Sequence, residues 1–235
     1  MVDEKIAHLE DRMYQTLFYS NPQTDLSLDE LTAELNEIER VLIDKHQGLY
    51  VNEITDLQNK VKLFGYHFAA LDIRQDSRVH QSVFETITSH PEIRKYINGL
   101  PADYNNLPLE ERLQILPQLT GEVPVTLFEK ESITARTLGS VYAMKSIQAT
   151  NGERGCHRYI ISNCGSLENI VQLFALHRIC GWNEPNVDMI PLFETISDLE
   201  ASEEIMRTLY GNPMYAKHLE RRGQKQTIML GFSDG

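Results

Sequence analysis

Apolar positions in the first quarter of the chain recur every three or four residues, the spacing of one face of an α-helix. Ile6, Leu9, Met13 and Leu17 form one such stripe. A second stripe runs through Leu31, Leu35, Ile38 and Leu42 and closes near Gly48. It opens at Ser27-Leu-Asp-Glu30, a pattern in which the serine and the glutamate satisfy each other's exposed amides. Ile54, Leu57, Val61 and Leu63 form a third stripe that runs into Phe64-Gly65. Residues 1–63 are therefore expected to be helical. The period then changes. Tyr66-His-Phe-Ala-Ala-Leu-Asp-Ile73 is a short apolar run between Gly65 and the polar cluster Arg74-Gln-Asp-Ser-Arg78. It predicts a buried strand, so that 64–78 reads as a strand with its following loop. Residues 79–155 return to helical spacing around a loop marked by Pro101, Pro108, Pro117 and Pro124. Within that stretch Ser132 to Ala149 predicts a long helix stopped at Asn151-Gly152.

From 156 onward strand and helix patterns alternate. Arg158-Tyr-Ile-Ile-Ser162 predicts a strand, and Ser166 caps a helix with Leu167, Ile170, Val171 and Phe174 on one face, stopped by Gly181. Val187 to Phe193 predicts the next strand, with Pro191 near its end. Ser197-Asp-Leu-Glu200 reads as a capping box opening a helix to Leu209, closed by Gly211, and a helical turn from Met214 to Leu219 precedes a last strand, Gln226 to Leu230. Strand starts near 158, 187 and 226 lie 29 and 39 residues apart. A (β/α)₈ barrel averages roughly 31 residues per unit. The spacing fits parallel βα units, in a barrel or in an open doubly wound sheet, and periodicity does not choose between them. The final Gly231-Phe-Ser-Asp-Gly235 follows a strand as a turn normally precedes a further element, which suggests a segment of a longer chain.

Composition narrows the function classes. The 235 residues carry 34 acidic against 22 basic side chains, a formal charge of −12. No basic surplus exists to drive broad binding to nucleic acid or to anionic membranes. Apolar residues make up 41% and charged residues 24%, an ordinary globular balance. No apolar run approaches the ~18 residues of a membrane span. The charged start Met1-Val-Asp-Glu-Lys5 is not a signal peptide, and Cys156, Cys164 and Cys180 form no disulfide framework. These features predict a soluble, cytoplasmic protein.

The candidate chemistry sits where strands end. Arg74 follows the first predicted strand, Glu194 the third and Asp234 the fourth. In parallel α/β architecture those C-terminal ends converge on one face. Two carboxylates there suit a hard divalent cation such as Mg²⁺, and an arginine offers a planar fork for phosphate or carboxylate. Each also has a structural explanation: Glu194 as a helix cap, Asp234 as a turn residue, Arg74 in an ion pair with Asp72 or Asp76. Cys156, His157 and Cys164 do not complete a zinc set. His67 reads as a packed strand residue, and His80, His90, His177 and His218 lie in helical stretches with no nucleophile arrangement. No Walker loop or GxGxxG is present.

Four blocks carry a family resemblance. Lys60-Val-Lys-Leu-Phe-Gly65 followed by Leu71-Asp-Ile-Arg-Gln-Asp-Ser77 resembles the phosphoenolpyruvate carboxylase pattern of Phe-Gly and a strand ending in Leu-Asp-Ile-Arg-Gln-Glu-Ser. Tyr159-Ile-Ile-Ser162 is similar to that family's Tyr-Val-Ile-Ser strand. Pro191-Leu-Phe-Glu-Thr195, followed by Asp198-Leu199, resembles its Pro-Leu-Phe-Glu-Thr block, and Gly231-Phe-Ser-Asp234 the start of Gly-Tyr-Ser-Asp-Ser-x-Lys-Asp. The blocks occur in the family's order across residues 60–235.

The resemblance implies a helix-rich α/β fold, part of an eight-stranded (β/α)₈ TIM-type barrel with an N-terminal helical segment. It implies Glu194 and Asp234 as ligands of Mg²⁺ or Mn²⁺ and Arg74 as a contact to the phosphate of phosphoenolpyruvate. The implied reaction is carboxylation of phosphoenolpyruvate by bicarbonate to oxaloacetate and phosphate, through carboxyphosphate and an enolate. Asp76 stands where the family has Glu, and Arg78-Val79 where Thr-Arg or Glu-Arg is common. The family's histidine motif, its Phe-His-Gly-Arg-Gly-Gly loop and its C-terminal effector site are not in these residues. The chain is thus expected to be a central segment of a homo-oligomeric parent enzyme, tetrameric by family resemblance, inactive alone, with the catalytic histidine and lysine outside it. Two other readings compete: another Mg²⁺-dependent barrel lyase or aldolase acting on phosphoenolpyruvate or a keto-acid, and a non-enzymatic helical scaffold.

Overall fold

Three amphipathic helices open the chain: α1 (Val2–Tyr19), α2 (Leu28–His46) and α3 (Val51–Phe64). The computed structural model describes residues 2–19 and 25–231. Ser27 caps α2 as expected, its hydroxyl accepting from the Glu30 N–H while Glu30 accepts from the Ser27 N–H. Leu31, Leu35, Ile38 and Leu42 of α2 are buried, with Leu9 of α1 and Leu26 alongside. The stripes of the outer two helices are much less covered. Ile6, Met13 and Leu17 of α1 are exposed, as are Leu57 and Leu63 of α3. Residues 1–69 form one of two structural units and residues 70–235 the other.

The second unit holds a parallel sheet. Its strands are β1 (Asp72–Asp76), β4 (Arg158–Ser162), β5 (Asp188–Phe193) and β6 (Met229–Leu230), in the order β1-β4-β5-β6, each pair parallel. A separate antiparallel pair, β2 (Ile97–Asn98) with β3 (Thr120–Gly121), lies in the excursion between β1 and β4. Helices α4 (Ser77–Ser89), α5 (Pro91–Arg94), α6 (Leu109–Ile115) and α7 (Ile133–Asn151) fill the rest of that excursion. α7 has the predicted limits, capped by Ser132 and ended by Gly152 at φ 87°. Further helices, α8 (Leu167–Ile179), α9 (Ile196–Gly211) and α10 (Pro213–Arg221), alternate with the later strands. The fold is helix-rich α/β with a parallel sheet.

Four expectations need correction. The run Tyr66–Leu71 is not a buried strand. Gly65 and Phe68 take positive φ (49° and 58°), the chain turns through Phe68 N–H to Phe64 O, and Phe68 and Leu71 stand in solvent. The strand begins only at Asp72, none of its five residues is buried, and His67 is half-buried in the turn. Second, α9 is capped by Thr195 with Asp198, not by Ser197 with Glu200. Third, α8 is buried on every side from Ile170 to Ile179, not along one face, as befits a helix in the centre of its unit.

Fourth, the last strand is shorter than Gln226–Leu230. Asp188 N–H donates to His157 O, so alternate N–H groups of β5 point toward β4 and that of residue 191 would face β6. Pro191 has no N–H there. Pairing with β6 starts at Leu192 opposite Met229, and the Gln226 side chain supplies a donor to Met189 O where the ladder has not begun.

Candidate functional site

Parallel strands place the ends of β1, β4, β5 and β6 on one rim, and the side chains there are tied together. Arg74 of β1 lies in register with Ile160 of β4. Its guanidinium reaches past β4 to the residue after β5, where Nη2 donates to Glu194 Oε1 at 2.9 Å. The other oxygen of Glu194, Oε2, accepts from the backbone N–H of Asn163 at 2.8 Å. The Glu194 side chain is 11% exposed and that of Arg74 55%. Glu194 is not a helix cap, since Thr195 and Asp198 perform that role. Arg74 pairs with neither Asp72 nor Asp76, whose partners are Arg158 and Arg78.

Asn163 is the hub that periodicity did not reveal. It follows β4 at φ 51°, in the left-handed region that Asn tolerates better than most side chains. Its N–H holds Glu194, its Nδ2 donates to Asp76 Oδ2 at 2.7 Å, and its carbonyl accepts from Ser77 Oγ at 2.6 Å. Asp76 in turn caps α4 through the Arg78 N–H and takes both Nε and Nη2 of Arg78. The Arg78 guanidinium is the main reason that the Asp76 carboxyl is held well below the usual carboxylate range, with further help from Asn163. Asp76 and Arg78 therefore form a closed pair beside Glu194. The signal that could have pointed to Asn163 is its place after a strand, in a turn where positive φ favours Asn or Gly.

The fourth strand brings its end to the same carboxylate. Gly231 N–H donates to Phe193 O at 2.9 Å, and a Cβ at Gly231 would lie 3.2 Å from Glu194 Cα and 3.3 Å from its Cγ. A side chain at 231 would crowd Glu194, which would have to give by a few tenths of an ångström. Asp234 lies outside the described residues.

The donor set matches one position of a hard-cation site. Glu194 supplies a fixed carboxylate whose Oε1 already carries a cationic group, the Arg74 guanidinium. Among the described residues no three acidic, histidine or cysteine side chains converge on a metal position. An ion there would keep water ligands, as Mg²⁺ commonly does. The cysteines are buried and free, and burial pushes the thiols of Cys164 and Cys180 up to about 12, which makes them poor ligands and nucleophiles. His80, His177 and His218 are buried, and desolvation lowers each to about 4, so they stay neutral.

Comparison with known proteins agrees with the residue blocks. The family model for phosphoenolpyruvate carboxylase matches residues 2–235. A phosphoenolpyruvate carboxylase from Burkholderia mallei is 30% identical over 225 residues, covering 88% of this chain and 22% of the relative. One from Prochlorococcus marinus is 30% identical over 226 residues, covering 88% and 21%, and one from Parasynechococcus marenigrum is 28% identical over 217 residues with the same coverage. The chain spans about a fifth of the length of these relatives. With the model match running nearly from end to end, this chain belongs to the phosphoenolpyruvate carboxylase family.

Proposed function

We propose that this chain supplies the metal- and phosphate-binding side of an active site that carboxylates phosphoenolpyruvate with bicarbonate to oxaloacetate and phosphate. The observation that carries the reading is the meeting of Arg74 and Glu194, 120 residues apart, at the C-terminal rim of a parallel sheet. Glu194 and Asp234 hold Mg²⁺ or Mn²⁺, and the Arg74 fork binds the substrate phosphate. Bound there, the cation supplies Lewis-acid stabilisation for the charge that develops on the enolate oxygen. Asn163 keeps the Glu194 carboxylate aimed at the rim, and the Gly231 backbone closes over it.

The four parallel strands belong, in this reading, to a larger closed (β/α)₈ barrel, and residues 1–235 to the central part of a homo-oligomeric cytoplasmic enzyme. No described helix is long and apolar enough to cross a membrane. The histidine and Gly-rich arginine motifs of the family resemblance do not occur in the 235 residues. Carboxylation therefore needs chain beyond these residues. Mn²⁺ binding followed by electron paramagnetic resonance tests the site directly. Glu194→Gln and Asp234→Asn should each weaken Mn²⁺ about tenfold or more, since each removes one of two protein ligands. Unchanged affinity in both variants refutes the assignment, and oxaloacetate formation by the purified chain refutes its dependence on the rest of the enzyme.

A further inference from the structure

The two oxygens of Glu194 are held in unlike ways. Oε2 is bound by a main-chain N–H whose own residue is fixed on two further sides, by Asp76 and by Ser77. Among the described residues Oε1 is bound only by the tip of Arg74, a long side chain rooted two strands away and more than half in solvent. Only Nη2 of that guanidinium is engaged with Glu194, so the contact is not the bidentate fork of which arginine is capable. Exposed single-contact ion pairs contribute little and exchange readily. Glu194, by contrast, is nearly buried, and a carboxylate in that position needs a cation beside it.

We propose that Glu194 Oε1 is an exchange point: Arg74 occupies it while no metal is bound, and leaves it for an anionic substrate when a divalent cation takes its place. This rests on the assignment of Glu194 to metal and Arg74 to phosphate made above. Arg74 then couples the two ligands. A cation that displaces the guanidinium frees its donors for phosphate, and a phosphate that draws it away uncovers the oxygen for the cation. Because coupling between binding sites is reciprocal, each ligand must tighten the other by the same factor. The nearly buried carboxylate is never left without a positive partner.

Mn²⁺ titration of the 235-residue chain, with and without phosphoenolpyruvate and corrected for their complex in solution, reads this coupling. In the native chain phosphoenolpyruvate should tighten Mn²⁺ about threefold, the scale of one exposed ion pair. Arg74→Gln should by itself tighten Mn²⁺ by a similar factor, and phosphoenolpyruvate should then add clearly less than it does in the native chain. Direct attraction between cation and anion survives the substitution, so an undiminished effect of phosphoenolpyruvate in Arg74→Gln overturns the exchange, as does an unchanged Mn²⁺ affinity. Circular dichroism confirms that the variant is folded. If Glu194→Gln leaves Mn²⁺ binding intact, the metal assignment itself fails, and the exchange with it.

Discussion

The helical unit and the sheet unit use the same kinds of apolar side chain to different effect. In the first, six described residues form the buried core, four of them from α2. In the second, thirty-two described residues form the main cluster, drawn from strands and from helices alike, and Ile160, Ile190 and Leu192 form a smaller one. A helix buries one stripe and can leave a stripe exposed when few neighbours cover it, as α1 and α3 do. A helix packed between a sheet and other helices, such as α8, buries its whole circumference. The larger core also encloses polar groups. His80, His177 and His218 are buried in the sheet unit, whereas no buried polar side chain occurs among the described residues of the helical unit. Depth of burial therefore brings both stability and a sensitivity to acid.

Acid should separate the two units most strongly. In the unfolded chain the three imidazoles bind protons near their ordinary pKa of roughly 6.5; in the folded unit they do so only near 4. Between those values the unfolded state binds more protons, so stability is fully present above about pH 6.5 and declines toward pH 4. The loss is at most on the order of 3 kcal/mol per histidine. Trp182, the single tryptophan of the sequence, packs 5.8 Å from the His177 ring and reports on the sheet unit. Denaturation followed by its fluorescence should weaken steeply over this range, while α-helical signal from the other unit persists. Parallel loss of both signals would break the contrast.

Core truncation comes next in size. Phe174 is 1% exposed and meets Tyr215 and His218 edge to face. Phe174→Ala should cost about 3–5 kcal/mol, and the same fluorescence transition measures it. The cap of α2 is a smaller matter. Ser27→Ala should cost about 1 kcal/mol, visible in the helical unit by circular dichroism and absent from the tryptophan signal. The smallest effect belongs to the rim. Arg74→Gln should change the stability of the sheet unit by no more than about 1 kcal/mol, because the guanidinium is more than half in solvent and Glu194 keeps its bond from the Asn163 N–H. A larger loss would make the pair a structural tie instead of a binding device.

Much of the helix content was legible because a 3.6-residue period survives in any context. The Ser27 and Ser132 caps, the stop at Gly152 and the strand Arg158–Ser162 all appear where local pattern placed them. Local pattern misled where two local structures compete for the same apolar run. Tyr66–Leu71 has strand composition, yet Gly65 and Phe68 at positive φ turn it instead. Gln226–Ile228 also reads as strand, but its neighbour Pro191 offers no donor to pair with.

At the site, sequence alone located Glu194 just after its strand, whereas Arg74, expected after the first strand, stands in the middle of β1 because that strand begins only at Asp72. The parallel order β1-β4-β5-β6 and the resulting ion pair are tertiary facts. So is Asn163: nothing in its neighbours announces that its N–H will meet a carboxylate 31 residues away and its amide an aspartate 87 residues away. Local propensity is set by side chains a few positions apart, and it determined most of the helices and the strands β4 and β5. Which strands lie side by side, and therefore which charges share a rim, depends on long-range packing that only the folded chain decides.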